Sequence, residues 1–509
     1  MIAQTSTFVG PDVAWFALSP LIVLVAGSLV LLLFGALTPP WPRHAYAAVA
    51  VATAVLAGGA AMLQWDDITD SAPSTLVGRA LAFDTFAQFV TIAICASLVV
   101  VVLITSDHLH REGNDSPEIY ALYLVAAAGG VVMASANDLI VLFLGLETLS
   151  LAFYVLAASD RRRTASQEAG IKYFILGGFS SAFFLYGIAL IYGSVGSTNI
   201  GEIVDNFNDF VLVDGSDATL LAGIALLLVG FAFKVAAVPF HVWTPDVYQG
   251  APTPSTALMA SIGKVAAVAA LVRVLVVALG YYRDDWRPII WVLAVASVVI
   301  GSVLAVVQTN VKRMLAYSSI THAGYILVGL EAAAHHAGES GDRLGPGVPA
   351  IAFYLLAYAV IVSGTFGVVA LVARRGDGAT DLDSFRGLGK RHPALALALT
   401  VFLVAQAGVP FTSGFIAKFG VIAAAVDSES YAIAIIAMVA SVIGAFLYLR
   451  IMVSAWMQDE DEAIAQLEPV TIPWASGIAI GAAAVFTLFV GILPSWLLDA
   501  ADVTVAFAR

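Results

Sequence analysis

Residues 218–243 read ATLLAGIALLLVGFAFKVAAVPFHVW, an apolar run with Lys234 near its end and Pro239 five residues later. As a helix rising 1.5 Å per residue, such a run crosses a hydrocarbon core of ~30 Å. Water is absent at that depth, so the backbone must satisfy its own hydrogen bonds, which selects helix over loop. Pro239 lacks an N–H and frees the carbonyl of Val235, and freed groups are tolerated in a membrane only beside protein or water. The stretch therefore reads as a broken transmembrane helix with a lysine beside the break.

The rest of the chain has the same character. Of 509 residues, 60% are hydrophobic and 12% charged, with a mean hydropathy of +0.93; soluble chains carry about 25% charged residues. Long Leu/Val/Ala/Ile runs recur, without the ~10-residue alternation of a membrane β-barrel. The reading is an all-α integral membrane protein of about fourteen transmembrane helices. The spans expected are 14–37, 44–64, 82–105, 118–136, 138–158, 166–193, 218–243, 251–280, 287–308, 312–334, 348–373, 393–426, 429–457 and 471–493. A net charge of −13 without a basic stripe argues against nucleic acid. Many of the acids lie between spans, as at Asp66, Asp67 and Asp70, or Asp205, Asp209, Asp214 and Asp217. The single cysteine, Cys95, excludes a disulfide framework and a cysteine-ligated cluster held by this chain alone. No Lys or Arg precedes the first apolar run, and Asp12 stands there instead, so the first span is expected to stay as an anchor.

Basic residues orient the chain. Loops after odd-numbered spans hold Arg43, Arg111, Arg161, Arg162, Arg163, Lys312, Arg313, Arg374, Arg375, Arg386, Lys390 and Arg391. The other side holds Arg79, Arg283, Arg287, Arg343 and Arg509. Both termini are therefore expected outside. Asp459, Glu460, Asp461 and Glu462 make one inner loop acidic, but acids count for little in this rule. A trace of duplication accompanies the topology. Val238-Pro239-Phe240 breaks the seventh span and Val409-Pro410-Phe411 the twelfth. Five spans apart, the repeats would run in opposite directions, and transporters built from inverted repeats function at such breaks.

Charges at bilayer depth cost roughly 2.5–3.5 kcal/mol each by insertion scales, so each needs a reason. Glu147 follows Asp138 by nine residues, ~14 Å into its span. It is either functional or a structural carboxylate capped by Thr148 or Ser150. Lys234 is either part of a hydrated pocket or the structural partner of Glu147. Lys264 follows Pro252 and Pro254 and has no acid in its span, which suits a proton carrier; hydroxyl partners would make it structural. Lys418 follows Pro410 by eight residues, beside the polar Gln406, Thr412 and Ser413. By this topology Lys234 and Lys418 would each lie on the outward side of their proline. Lys172 is in helical register with Glu168, as an end-of-helix pair or a proton-uptake group. His322, in Ser318-Ser319-Ile320-Thr321-His322, is either a shuttle or a packing histidine. His241, Asp246 and Tyr248 read as interfacial, His335 and His336 as loop histidines, and Arg450 as a snorkelling side chain. No phosphate loop, metal-ligand cluster or nucleophile elbow is present in the sequence.

These residues also carry a resemblance. Phe233-Lys234-Val235-Ala236-Ala237-Val238-Pro239-Phe240-His241-Val242-Trp243-Thr244-Pro245-Asp246-Val247-Tyr248-Gln249-Gly250-Ala251-Pro252-Thr253-Pro254 resembles the signature of the subunit N family of proton-translocating NADH–quinone oxidoreductase, bacterial complex I. Gly145-Leu146-Glu147 with Ser150-Leu151 and Tyr154, Lys172-Tyr173-Phe174-Ile175-Leu176-Gly177, Asn310-Val311-Lys312-Arg313-Met314-Leu315-Ala316-Tyr317-Ser318-Ser319-Ile320 and Gly414-Phe415-Ile416-Ala417-Lys418-Phe419 are similar to its other blocks. The resemblance spans Ile119 to Trp456. Lys418 and the Tyr-Gln-Gly-Ala-Pro string favour N over the sister subunits M and L, and the absence of a long C-terminal lateral helix also disfavours L.

The resemblance implies two inverted five-helix repeats with broken helices 7 and 12. The expected layout is three helices in 1–117, the repeats in 118–286 and 287–458, and a cytoplasmic loop with the last helix in 459–509. It implies that Glu147 and Lys234 form an ion pair, that Lys264 is a central carrier, and that Lys418 serves the second half-channel. The chain would be a non-redox subunit with no cofactor of its own, FMN, iron–sulfur clusters and quinone belonging to other subunits. Its expected partners are neighbouring antiporter-like and small membrane-arm subunits and the lipid bilayer of a bacterial plasma membrane.

Overall fold

The computed structural model describes residues 13–42, 44–209, 217–339, 344–459 and 470–509. Asp12, Arg43, Asp214, Arg343 and Glu460 to Glu462 lie outside the described residues. The chain is a helical bundle: α1 Ser19–Leu37, α2 Ala45–Asp70, α3 Thr85–Glu112, α4 Pro117–Ser135, α5 Leu139–Ala157, α6 Thr164–Val195, α7 Ile200–Asp209 and α8 Asp217–Val235. It continues as α9 Trp243–Gly250, α10 Thr253–Ala278, α11 Arg283–Val306, α12 Val311–Ala334 and α13 Gly347–Val372. The last elements are α14 Pro393–Ala407, α15 Ser413–Asp427, α16 Tyr431–Met457, α17 Trp474–Ile492 and α18 Ser495–Asp502.

Among the described residues, twelve helices are long and apolar enough to cross a membrane. Two expected spans fall outside that set. α12 is long, but it carries the polar patch Ser318 to His322 and Glu331. Span 393–426 is split into α14 and α15. The expected span 218–243 is likewise shorter as a helix, since α8 stops at Val235. Sequence analysis passed over α7 and a small hairpin of β1 Ser74–Leu76 and β2 Leu81–Phe83, paired Ser74 to Phe83.

α13 is the axis of the bundle. Its span window is wholly buried, and it packs on α3, α10, α12, α14, α15 and α17. α10 is nearly as enclosed and is not uniform: π-helical turns at Met259–Gly263 and Arg273–Ala278 flank an α-helical segment that begins at Lys264. Peripheral helices expose large apolar residues, such as Leu33 on α1, Leu63 on α2, Phe179 on α6 and Val442 on α16. That surface suits lipid or other apolar helices.

Buried ion pairs fasten both ends of α10. At one end, Asp377 Oδ2 accepts from the N–H and hydroxyl of Thr253, at 2.7 and 2.8 Å, capping the helix. Lys312 Nζ and Arg163 Nη1 stand 3.3 and 3.4 Å from the same oxygen. Burial pushes the Asp377 carboxyl up, but the Lys312 ammonium and the other cations outweigh it and hold the group well below the usual carboxylate range. At the other end, Arg273 donates to both oxygens of Asp84 at 2.9 Å, both side chains being fully buried. Asp84 also accepts from Ala87 N and Ala508 N, tying the chain's C-terminal end into the bundle. The helix ends bearing Arg111 and Lys312 and the loops bearing Arg163 and Arg374 meet on the Asp377 face. Arg79 joins Glu202 at 3.5 Å on the opposite one.

Candidate functional site

The two breaks position the site. After Val235 the chain turns through Ala236 at φ 62°, and Val238 N donates to Ser297 Oγ of α11 at 2.9 Å. The Trp243 indole donates back to Phe233 O at 3.1 Å, so a side chain serves a carbonyl at the broken helix end. The second break turns at Gly408, φ 85°, and Phe411, φ 67°. There Lys418 Nζ itself donates to Ala407 O at 3.1 Å and to Ser441 Oγ at 3.2 Å, over the Tyr325 ring at 4.7 Å.

Glu147 and Lys234 approach the first break from different helices without touching. Glu147 Oε1 accepts from Ser181 at 2.5 Å. Lys234 Nζ donates to Ser150 Oγ at 2.7 Å and to Tyr154 at 3.5 Å. The expected direct ion pair is thus absent, and α5 hydroxyls three and seven residues beyond Glu147 take its place. Those positions share a helix face with the carboxylate, so the hydroxyls intercept the ammonium first.

Lys264 is only 3% exposed and donates to Ser319 O of α12, with its ammonium over the Tyr358 ring. A cavity of about 10 Å³, near the threshold for one water, is lined by both Lys234 and Lys264. Beyond Lys264, Tyr358 donates to Ser319 Oγ at 2.9 Å, and its ring lies 4.9 Å from His322. His322 meets Tyr354 at 2.6 Å through Nδ1 and Tyr448 at 3.2 Å through Nε2. Tyr448 shares a 2.6 Å hydrogen bond with Ser318, which donates to Gln406 at 3.2 Å. Gln406 adjoins Ala407, the carbonyl that Lys418 holds. His322 therefore sits between two buried lysines, in a run of hydroxyl, amide and imidazole groups.

Lys172 lies apart from this run. It pairs with Glu168 at 2.7 Å, as its register predicts, and with Asp246 at 2.8 Å. Asp246 also binds Arg313 at 2.6 Å. Burial raises the Asp246 carboxyl, yet the hydrogen bonds from Lys172 and Arg313 outweigh it and hold the group below its usual value. Tyr248, expected at an interface, is buried and packs on Trp243 instead. Arg450 donates to the carbonyls of Val306 and Gln308 at the end of α11. Sequence reasoning missed Tyr154, Tyr354, Tyr358 and Tyr448 as site residues. Nothing in their spacing separates them from packing aromatics, and only the fold brings them to His322 and the lysines.

Residues 136–444 match the transmembrane family of NADH:quinone oxidoreductase and Mrp antiporter proteins. NADH-quinone oxidoreductase subunit N of Rhodococcus opacus is 38% identical, over 100% of this chain and 99% of its own. Subunit N 1 of Herpetosiphon aurantiacus is 42% identical over 84% of each. The chain belongs to the subunit N family. A chain of respiratory complex I from Thermus thermophilus, solved with bound aureothin, shares its fold with a TM-score of 0.78 at 32% identity, covering 95% of this chain and 100% of that one. The family match takes in both breaks and all six candidate residues, Glu147, Lys172, Lys234, Lys264, His322 and Lys418.

Proposed function

We propose that this chain is a proton-translocating subunit of the membrane arm of NADH–quinone oxidoreductase, coupling quinone reduction elsewhere in the complex to proton movement. It would work in a bacterial plasma membrane beside antiporter-like and small subunits, with both termini outside and FMN, iron–sulfur clusters and quinone held by other chains. The observation that carries this reading is the polar run from Lys264 past His322 to the Ala407 carbonyl held by Lys418. Such a run inside an apolar bundle is costly unless its members exchange protons or bind one another fully.

A change of field at Glu147, set by quinone reduction, moves the carboxylate relative to Lys234. An anionic neighbour stabilises an ammonium, so withdrawing it releases the Lys234 proton towards Lys264. His322 and the tyrosines then pass protons between Lys264 and Lys418. Reprotonation of Lys234 is better served by a cavity of about 1090 Å³ than by Lys172. That cavity opens beside Asp160, Arg161 and Arg162 and reaches Tyr154, a hydrogen-bond partner of Lys234. Two Val-Pro-Phe breaks five spans apart support the division into inverted repeats over 118–286 and 287–458.

The test replaces Lys234 and Lys264 singly with alanine in the assembled complex, reconstituted into vesicles. The expected result is fewer protons moved per NADH oxidised in each variant. Unchanged transport with intact assembly would defeat the assignment. A self-contained cation/proton antiporter is the rival, and co-purification with flavin and iron–sulfur subunits separates the two.

A further inference from the structure

A buried carboxylate that the lysine run does not use lies one turn from the far end of α12. Glu331 is 3% exposed, and three partners approach a single oxygen of it. Its Oε1 accepts from Ser430 Oγ at 3.0 Å and lies 3.5 Å from His335 Nε2 and 3.9 Å from Arg287 Nε. Oε2 is buried with no partner. A bare oxygen does not by itself mark a proton carrier, since the clasping Asp377 also leaves Oδ1 buried and without a partner. What sets Glu331 apart is that its bare oxygen, where a proton can sit and turn the acceptor into a donor, lies one contact from the part-exposed His335.

The position fits that chemistry. α12 runs from Lys312, on the Asp377 face, towards the opposite side, so Glu331 lies outward of Lys418 in the proposed topology. Tyr325, whose ring lies under the Lys418 ammonium, is six residues before Glu331, ~9 Å along the helix. The interval is tightly packed and apolar. A Cβ on Gly329 would stand 2.9 Å from Val421 Cγ1 and 3.0 Å from Ile351 Cγ1. Beyond Glu331, His335 and Arg287 are part-exposed and within 3.4 Å of each other. His335 stands in the turn that follows α12, as its loop reading expects, and there it lies between this carboxylate and Arg287.

We propose that Glu331 is the outward release group for protons leaving Lys418, with His335 as its relay and the Gly329–Val421–Ile351 packing as the gate between the two. With the packing parted, a proton passes from the Lys418 ammonium through intervening water to the Glu331 carboxylate, then to the His335 imidazole and to water; with it closed, passage is blocked in both directions. No electron moves and no other bond changes. The proposal rests on the reading of Lys418 as a carrier, and the experiment separates the two. Protons moved per NADH are measured in vesicles bearing the assembled complex, as wild type, Lys418→Ala, Glu331→Gln and Glu331→Asp.

The expected result is that Glu331→Gln falls to the Lys418→Ala level while Glu331→Asp recovers towards wild type. Glu331→Gln keeps the Ser430 hydrogen bond but gives up the charge facing Arg287 and His335, so a clasp role alone would lower the thermal stability of the assembled complex and leave the ratio unmoved. A wild-type ratio in Glu331→Gln beside a lowered one in Lys418→Ala overturns the release site and spares the carrier. Wild-type ratios in both overturn the two together. Should Glu331→Gln fail to assemble, His335→Ala carries the test, with a lowered ratio expected and an unchanged one overturning the proposal.

Discussion

At the first break, α8 ends on partners borrowed from elsewhere: the Trp243 indole serves Phe233 O, Ser297 takes Val238 N, and Lys234 points away to Ser150 and Tyr154. At the second, the lysine is part of the repair, because Lys418 holds the Ala407 carbonyl while only 6% exposed. The helices that follow also differ. α10, which follows α9 after the first break, is capped by the charged Asp377, itself held by Lys312 and Arg163. α15 is capped by the Thr412 side chain. The same Val-Pro-Phe tripeptide therefore leads to a first lysine free of structural duty and a second one bound to it.

The caps provide the largest expected contrast. Asp377→Asn removes one partner of a buried ion cluster, a change that costs about 3–5 kcal/mol. Thr412→Ala costs about 1 kcal/mol, as for an ordinary N-cap. Thermal unfolding of the purified membrane arm compares them, and equal losses would erase the distinction between the two helix starts. The pH dependence has a definite sign. The native Asp377 carboxyl is depressed, so its stabilisation is present above the ordinary aspartate value of about 3.9 and fades as pH falls from there towards the native value. Asp377→Asn should lose that acid sensitivity.

The lysines come next. Lys418→Met leaves the Ala407 carbonyl with only the long 3.4 Å bond from Ser441, so a loss of ~1–2 kcal/mol is expected. Lys234→Met leaves Ser150 still donating to Leu146 O, and stability should barely change. Both should lower protons moved per NADH. If Lys234→Met destabilises as much as Lys418→Met, the first lysine is structural after all.

Sequence made the helices legible because proline and glycine mark their ends. Pro117 and Pro393 open α4 and α14, and Gly113 and Gly408 close α3 and α14. The six candidate residues were legible for the same reason that the spans were, since charge inside a long apolar run stands out. Partners were not legible. Asp84 and Arg273 lie 189 residues apart and Lys312 and Asp377 lie 65 apart, and nothing local in either segment announces the other. Arg273 stands out by the same rule as Lys264, being a charge within the same apolar span. The Glu147–Lys234 contact failed because residue type alone cannot tell whether Ser150 and Tyr154 will stand between the charges. The π-helical turns around Lys264 have no compositional mark.

The smallest contrast concerns the backbone at the breaks. Each turns through a left-handed residue directly after its helix, but the first uses Ala236, φ 62°, and the second Gly408, φ 85°. A side chain in that region costs about 1–2 kcal/mol relative to glycine, while glycine loses about 0.4–1 kcal/mol more chain entropy on folding. Ala236→Gly should therefore be neutral or stabilising by up to ~1.5 kcal/mol. By the same balance Gly408→Ala should be neutral or destabilising by up to ~1.5 kcal/mol from the backbone alone, and its new Cβ would also stand 2.9 Å from Lys418 Cδ. That second effect makes the pair informative beyond stability. Gly408→Ala must displace the lysine and lower proton transfer, whereas Ala236→Gly leaves Lys234 on Ser150 and Tyr154 and should leave transfer unchanged. Equal transport in the two variants would mean that the Lys418–Ala407 contact is incidental to the path.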